Sequence, residues 1–383
     1  LLHDLGKASA AFQAKLKQRQ AIADAYRHEW VSLRLFEAFV GPAASDAEWL
    51  QRLACGDGRQ DGDWLARLQR DGMPSPQAKP AGGARFKKSV QQAGNPLRAG
   101  GLPPLAQVIG WLVVSHHRLP LGELQRRDLP ALPTPINAEW CGARQASEQD
   151  KAACWQFADG HLPFASRSWR QRIAECATGL LRHPGLLQRA AGMLDNPWLL
   201  HLARLALMLA DHHYSSLPSA SGLGDAGFAA HANTDKGVQL KQRLDEHLLG
   251  VAREARRVAQ VLPQLERRLP RLAPHRGFRK RSADPHFAWQ DKAFDLACSL
   301  HRPSSEHGFF GINMASTGCG KTLANGRILY ALADPQRGPR FSIALGLRTL
   351  TLQTGQVYRD RLGLGEDDLA VMVGGTAVRQ LFE

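Results

Sequence analysis

The sequence is poor in the features that would place a protein outside the cell or in a membrane. Its six cysteines (Cys55, Cys141, Cys154, Cys176, Cys298 and Cys319) form no C-x-x-C pair and no regular framework. A reduced, cytoplasmic setting is the simplest expectation. No run approaches the roughly 18 uninterrupted apolar residues of a membrane span, and no signal peptide is visible, so a soluble protein with no membrane partner is expected. Acids are also scarce: 35 Asp and Glu face 49 Lys and Arg, a formal charge of +14 that leaves 15 His uncounted. That balance favours a polyanionic partner, although an Arg-rich composition also serves ordinary solubility. The first residue is Leu1 rather than Met, and the chain is expected to be a fragment, truncated at both ends.

A length of 383 residues allows two or three domains with real cores. Strand patterns are missing from the first 245 residues, where helical periods dominate. Phe12 and Leu16 share one face, then Trp30, Leu33, Phe36 and Val40 share another, and Gly41-Pro42 ends the pattern. Short helices are expected at about 47–53 and 64–68. Residues 71–104 are rich in Gly and Pro, carry Arg85, Lys87 and Lys88, and read as an insertion. An apolar helix from Leu105 runs into Ser115-His116-His117, and a Pro-rich loop follows. Further helices are expected near 145–158, 167–182 and 185–194. The run Trp198 to Ala210, apolar almost all round, predicts a helix buried inside the domain and ending at Asp211. The pattern therefore divides into an all-α domain over 1–245, a linker over 246–285 and a different domain over 286–383. Residues 253–281 carry Arg253, Arg256, Arg257, Arg267, Arg268, Arg271, Arg276, Arg279, Lys280 and Arg281 against Glu254 and Glu266. They suit either a solvated helix and linker or a phosphate-tracking surface.

The candidate chemistry of the first domain begins at His3-Asp4-Leu5-Gly6-Lys7. An adjacent His-Asp pair offers one imidazole and a carboxylate able to bridge two cations, and Lys7 can face a phosphate. By itself the pair could be a polar turn near a helix start. Downstream, His28, His116, His117 and Asp211 complete the order H-D…H…H-H…D. Singly, His28 could border a helix face, His116-His117 could cap the preceding helix, and Asp211 could bond a neighbour. Together, four imidazoles and two carboxylates suit two divalent transition metals (Mn, Fe, Co or Ni), bridged by Asp4, better than Mg²⁺ or Ca²⁺. Such a pair suits in-line phosphodiester hydrolysis, with Asp4 and Lys7 as the catalytic candidates. His201 is expected in the core and His212 outside the ligand set.

After residue 285 the pattern becomes strand alternating with helix. Strands are expected at Phe309–Met314, Phe341–Leu345 and Ala370–Val373, and helices at Leu323–Leu332 and about 350–361, which implies a parallel sheet. Between the first strand and its helix lies Ala315-Ser316-Thr317-Gly318-Cys319-Gly320-Lys321-Thr322. It matches the phosphate loop G-x-x-x-x-G-K-[ST] with Ala in place of the first Gly. Thr317, Gly318, Cys319 and Gly320 form the cradle, Lys321 reaches the outer phosphates and Thr322 can hold Mg²⁺, so ATP and Mg are the expected cofactors.

The loop A-x-T-G-x-G-K-T resembles that of superfamily 2 helicases. Phe287-Ala288-Trp289-Gln290 resembles their adenine-reading Gln element, and Leu347-Arg348-Thr349-Leu350-Thr351-Leu352-Gln353 and Gly374-Gly375 resemble their strand-contact motifs. An all-α domain with the His/Asp order above, joined to such a loop, resembles the HD nuclease–helicase family of type I CRISPR interference. Leu2–Lys7, Ser115–Pro120, Ala210–Ser215 and Met314–Thr322 look most like its type I-F branch. The resemblance implies an all-α HD domain followed by an incomplete α/β RecA-like lobe, cut before the Walker B motif. It implies a metal-dependent single-stranded DNA endo- and exonuclease coupled to a 3′-to-5′ ATP-dependent helicase. The implied partners are the displaced strand of an R-loop, the RNA-guided surveillance complex and the CRISPR integration complex. It also implies one more ligand His upstream of the His-Asp pair, so the site is expected to be one ligand short, and no ATP hydrolysis is expected from this stretch alone. Two other readings stand beside it: an HD-type nucleotide phosphohydrolase fused to an NTPase, and an inactive DNA- or partner-binding module.

Overall fold

Helices end where the sequence supplies caps, and those caps set the frame of the site. The computed structural model describes residues 1–17, 25–55, 64–70, 101–118, 146–220, 222–235, 239–272 and 274–373. Most of the 71–104 insertion, the Pro-rich loop after Leu119 and Gly374-Gly375 lie outside the described residues. The chain divides into two compact units, Leu1–Pro263 and Gln264–Glu383.

In the first unit a 3-10 turn, Leu5–Ala8, leads into α1 (Ala10–Leu16), whose N-terminus is capped by Ser9. Then follow α2 (His28–Val40), α3 (Asp46–Ala54), α4 (Trp64–Arg70), α5 (Pro104–Ser115), α6 (Glu148–Ala153), α7 (Arg167–Leu181), α8 (Pro184–Arg189), α9 (Pro197–Ser216) and α10 (Leu244–Val261). Gly41, at a φ of 55°, stops α2, a conformation that favours glycine. Asn196 caps α9 by accepting from Leu199 N–H at 3.0 Å, with Pro197 opening the helix. The core gathers Leu33, Leu35 and Phe36 of α2, Trp49 and Leu50 of α3, Trp111 of α5 and Trp169 of α7. Asp46 ties two of these helices together. Its carboxylate accepts from the backbone N–H groups of Leu105 (2.8 Å) and Ala106 (3.0 Å), and from Trp49 Nε1 (2.9 Å). The first turn of α5 is thus capped from α3, and α5 delivers His116-His117 at its other end.

Two expectations change here. The sequence pattern ends the first domain near 245, but α10 is continuous from Leu244 and belongs to the first unit, which runs to Pro263. Helix α9 is not buried on every side: Leu200, Ala206, Ala210 and Tyr214 face inward, whereas Trp198 is 72% exposed and Leu209 47%. Its apolar residues go round the whole helix, but only one side meets α5 and α10. His201 consequently lies on the exposed side rather than in the core.

The second unit holds α11 (Leu265–Arg268), α12 (Arg276–Arg279), α13 (Ala288–Ser299), α14 (His301–His307), α15 (Lys321–Leu332) and α16 (Arg348–Leu362). Its small core stacks Phe278 on Tyr330 at 4.8 Å, beside Tyr358, Leu362 and Leu364. The expected parallel sheet is not formed among the described residues. The three predicted strands are non-helical but join no ladder, and the bridges present, His231 with Arg243 and Thr234 with Leu240, belong to the first unit. Phe310, Ile312 and Met314 alternate as a strand face would, yet all three are more than three-quarters exposed. A parallel sheet is stable only when covered on both faces, and these three side chains lack such cover among the described residues.

Candidate metal centre

Two features of α2 fix the His-Asp turn in place. Ser32 Oγ donates to the His28 carbonyl (2.7 Å) and accepts from Gly6 N–H (2.8 Å). Gly6 packs so closely that a Cβ there would overlap the His28 carbonyl oxygen. Asp4, wholly buried, is thereby held against the start of α2.

Its two oxygens face different sets of imidazoles. Oδ1 lies 3.3 Å from His28 Nε2 and 3.4 Å from His116 Nε2. Oδ2 lies 3.2 Å from His3 Nε2 and 3.3 Å from His247 Nε2, and is also 2.7 Å from the Lys7 ammonium. Asp211 completes the second set, its Oδ1 being 3.3 Å from His247 Nε2 and 3.9 Å from His3 Nε2. The side chains thus form two four-donor groups that share Asp4: His3, Asp4, Asp211 and His247, and Asp4, His28, His116 and His117, the donor atoms within each lying no more than 4.8 Å apart.

The outer nitrogens of three of these rings are occupied. His116 Nδ1 bonds the Val113 carbonyl (2.7 Å), His247 Nδ1 bonds Gln242 Oε1 (3.2 Å), and His28 Nδ1 lies 3.5 Å from the Glu29 carboxylate. The Gln242 amide has one possible orientation, because its Nε2 donates to the carbonyls of Tyr214 (2.8 Å) and Leu217 (2.9 Å). Its Oε1 must then accept, which puts a proton on His247 Nδ1 and leaves Nε2 as the inward atom. Outer partners of this kind fix the tautomer of a ligating imidazole. Arg204, donating to the Ser115 carbonyl at 2.7 Å, holds the end of α5 that carries the two histidines.

The charges agree with this placement. Burial alone would raise the Asp4 carboxyl, but the Lys7 ammonium and the imidazoles facing it, His3 first, outweigh it and hold it well below the usual carboxylate range. Burial would likewise raise Asp211, and the His247 and His3 contacts keep it low. His117 is pushed down to about 4 by burial and by its neighbour His116, so it is a neutral donor at ordinary pH.

No protein-family model matches the chain. Two curated proteins do. The chain is 62% identical over 387 residues to the CRISPR-associated nuclease/helicase Cas3 subtype I-F/YPEST of Pseudomonas aeruginosa. It is 45% identical over 400 residues to the protein of the same description from Pectobacterium atrosepticum. By sequence, this chain is similar to the subtype I-F/YPEST Cas3 nuclease/helicases over its whole length. Each match covers all of this chain but 34% of the relative, so the chain spans about a third of their length.

All six metal candidates from the sequence converge at this one place, with Lys7 beside them. Lys7, expected to face a phosphate, touches Asp4 and lies 5.7 Å over the Phe12 ring. His247 was missed. It sits on α10, past the residue taken as the end of the domain, within Asp245-Glu246-His247, where neighbouring acids suggest an ordinary helix start. It supplies the fourth donor of the first group. The donor set also passes a direct test of fit to divalent cations. Both ring nitrogens of His3 and the Nε2 atoms of His28, His116 and His247 are buried with no hydrogen-bond partner among the described residues. Five orphaned nitrogens around two ionised carboxylates is a costly arrangement without a cation between them.

The phosphate-loop candidates gather in the second unit. Gly318 and Gly320 adopt φ of 86° and 76°, and Gly320 opens α15. The Lys321 ammonium donates to the carbonyls of Ala315 (2.6 Å) and Ser316 (2.8 Å). Gln290 is buried and bonds the loop carbonyls of Cys319 (3.4 Å) and Gly320 (3.3 Å), while Trp289 Nε1 donates to Cys319 at 3.1 Å. The Thr322 carbonyl accepts from Tyr358 of α16 at 2.8 Å. Thr317 stands exposed before the first glycine. Among the described residues, no helix is long and apolar enough to cross a membrane.

Proposed function

We propose that the first unit is the metal-dependent nuclease part of a CRISPR interference protein, cutting single-stranded DNA, and that the second begins its ATP-driven helicase. One observation carries the nuclease reading: Asp4 divides its two oxygens between two imidazole groups, and three of those rings, His28, His116 and His247, have their outer nitrogens engaged elsewhere. His3, Asp4, Asp211 and His247 would hold one divalent transition metal, and Asp4, His28, His116 and His117 the other. Such a pair supplies a water of lowered pKa and a clamp on both oxygens of an in-line phosphodiester displacement. The protein's own part is to hold these donors without further motion. Lys7 keeps Asp4 ionised and is the nearby ammonium for charge developing on an attacked phosphate.

In the second unit, Lys321 and the backbone of Gly318–Thr322 would take the phosphates of ATP, with Mg²⁺ on Thr322 and Gln290 beside the adenine. Arg348, Thr349 and Gln353 are exposed on α16, as contacts to a tracked strand need to be. The R-loop's displaced strand, the RNA-guided surveillance complex and the integration complex, in the cytoplasm, are the partners that the family resemblance adds to this reading. The basic segment 253–281 adds phosphate-binding charge, with Arg253, Arg256, Arg257, Arg267 and Arg268 all exposed.

The test offers full-length protein with Mn²⁺, Fe²⁺, Co²⁺ or Ni²⁺ either circular single-stranded DNA or free nucleotides. Nicking of the circle is expected. Hydrolysis of nucleotides without cutting of DNA would overturn the reading in favour of a nucleotide phosphohydrolase. Asp4→Ala is expected to abolish nicking and spare DNA-stimulated ATPase, and Lys321→Ala to do the reverse.

A further inference from the structure

Asp211 and His117 each have a side that the two shared groups do not use. While Asp211 Oδ1 turns to His3 and His247, its Oδ2 lies 3.9 Å from His117 Nδ1. The next residue on α9, His212, is exposed, and its donor atom lies within 4.8 Å of those of His117 and Asp211. We propose that His117, Asp211 and His212 form a third divalent-cation site, facing solvent on the outer side of Asp211.

The proposal rests on the two-metal reading, because two of the three residues belong to the groups described above. Two imidazoles and one carboxylate suit Mn, Fe, Co, Ni or Zn rather than Mg or Ca. With three donors and two of its residues exposed, the site leaves positions open for water or a phosphate oxygen, so its ion is held more loosely than the buried pair. Asp211 bridges the first and third positions as Asp4 bridges the first and second. His117 is the residue in dispute. A neutral imidazole offers one free nitrogen, so His117 serves either the second group or the third. The second group keeps Asp4, His28 and His116 when His117 turns away, hence all three positions can fill together, the third at some cost to the second.

Equilibrium dialysis and calorimetry of the full-length protein with Mn²⁺ alone test this. Two tight equivalents and a third, weaker one are expected. His212→Ala should keep the tight pair and weaken the third by more than about tenfold, since losing even an outer partner of a ligand costs 10–100-fold. His213→Ala, one residue along on the same exposed turn but outside the group, should keep all three. A third equivalent that survives His212→Ala, or that His213→Ala removes equally, overturns the proposal. So does a wild-type protein that takes up two equivalents and no more, which leaves the two-metal reading standing. Fewer than two would sink that reading and the third site with it.

Discussion

His247→Ala separates a ligand from a core residue. The imidazole is fully buried, its Nε2 is 3.3 Å from both Asp4 Oδ2 and Asp211 Oδ1, and its Nδ1 bonds Gln242. Without metal, removing it empties the space of a fully buried ring and breaks its Gln242 bond, a loss of about 2–5 kcal/mol. With metal, the first group drops from four donors to three, while the second, which does not include His247, keeps its four. Loss of a direct ligand should exceed the 10–100-fold penalty of losing an outer partner; at 1.4 kcal/mol per tenfold, that is about 2.8 kcal/mol or more. The assay is metal content after purification together with Mn²⁺ calorimetry on full-length protein. One equivalent should be lost and one kept, and nicking should fall away. His247→Gln guards against simple unfolding, because it refills most of the space yet offers a poor ligand, and it should lose the same equivalent with a smaller drop in melting temperature. If His247→Gln lowers the melting temperature but binds two equivalents at wild-type affinity, His247 is packing and the four-donor group is wrong.

Three further outcomes follow from neighbouring contacts. Gln242→Leu removes the acceptor that orients His247 and should weaken the first metal about 10–100-fold while sparing the second; equal weakening of both, read by calorimetry, would point to general disorder instead. Asp46→Ala strands two backbone donors of α5 and the Trp49 indole, and should cost about 2–4 kcal/mol in urea unfolding. Asp46→Asn, which keeps one good acceptor, should cost less, and a loss below about 1 kcal/mol for the Ala variant would deny Asp46 its role. Glu29 is held at about 2, since His28 and Arg27 outweigh a burial that would raise it. Its folded value lies below the usual 4.5, so its stabilisation is present above pH 4.5 and lost as pH falls through about 2. Over that window the metal-free protein should lose at most about 3 kcal/mol more than Glu29→Gln, and equal pH slopes for the two would refute the assignment.

The helices of the first unit were legible because their signals are local: the period of Trp30, Leu33 and Phe36, the Gly41 stop, the Asn196-Pro197 start. The six metal candidates were legible because residue types rare together, a His-Asp pair and a His-His pair, recur in order. His247 was not, because nothing local marks it. Its role depends on α10 packing against α9, where Gly250 lets the Tyr214 ring approach the α10 backbone more closely than any Cβ would permit. The exposed side of α9 escaped for a related reason: an all-round apolar helix has no polar stripe to show which side lacks a neighbour. In the second unit the predicted strands have the right alternation, but strand pairing is non-local, and alternation along one segment does not show which other segment it meets.

The order of ligands along the chain then has a physical account. Asp4 sits on a turn stitched to α2 through Ser32 and Gly6, so His28 comes with it. His116 and His117 arrive at the far end of α5, whose near end Asp46 clamps and whose last carbonyls Arg204 of α9 holds. Asp211 lies on that same α9, seven residues and so about two turns beyond Arg204, and α10 packs against α9 to bring in His247. Every donor is therefore fixed by a contact between elements that already share the core. This explains how buried imidazole nitrogens without hydrogen bonds can be held here: the packing that aims them is assembled elsewhere, and their cost of about 1–3 kcal/mol each is what cations in the proposed site would offset.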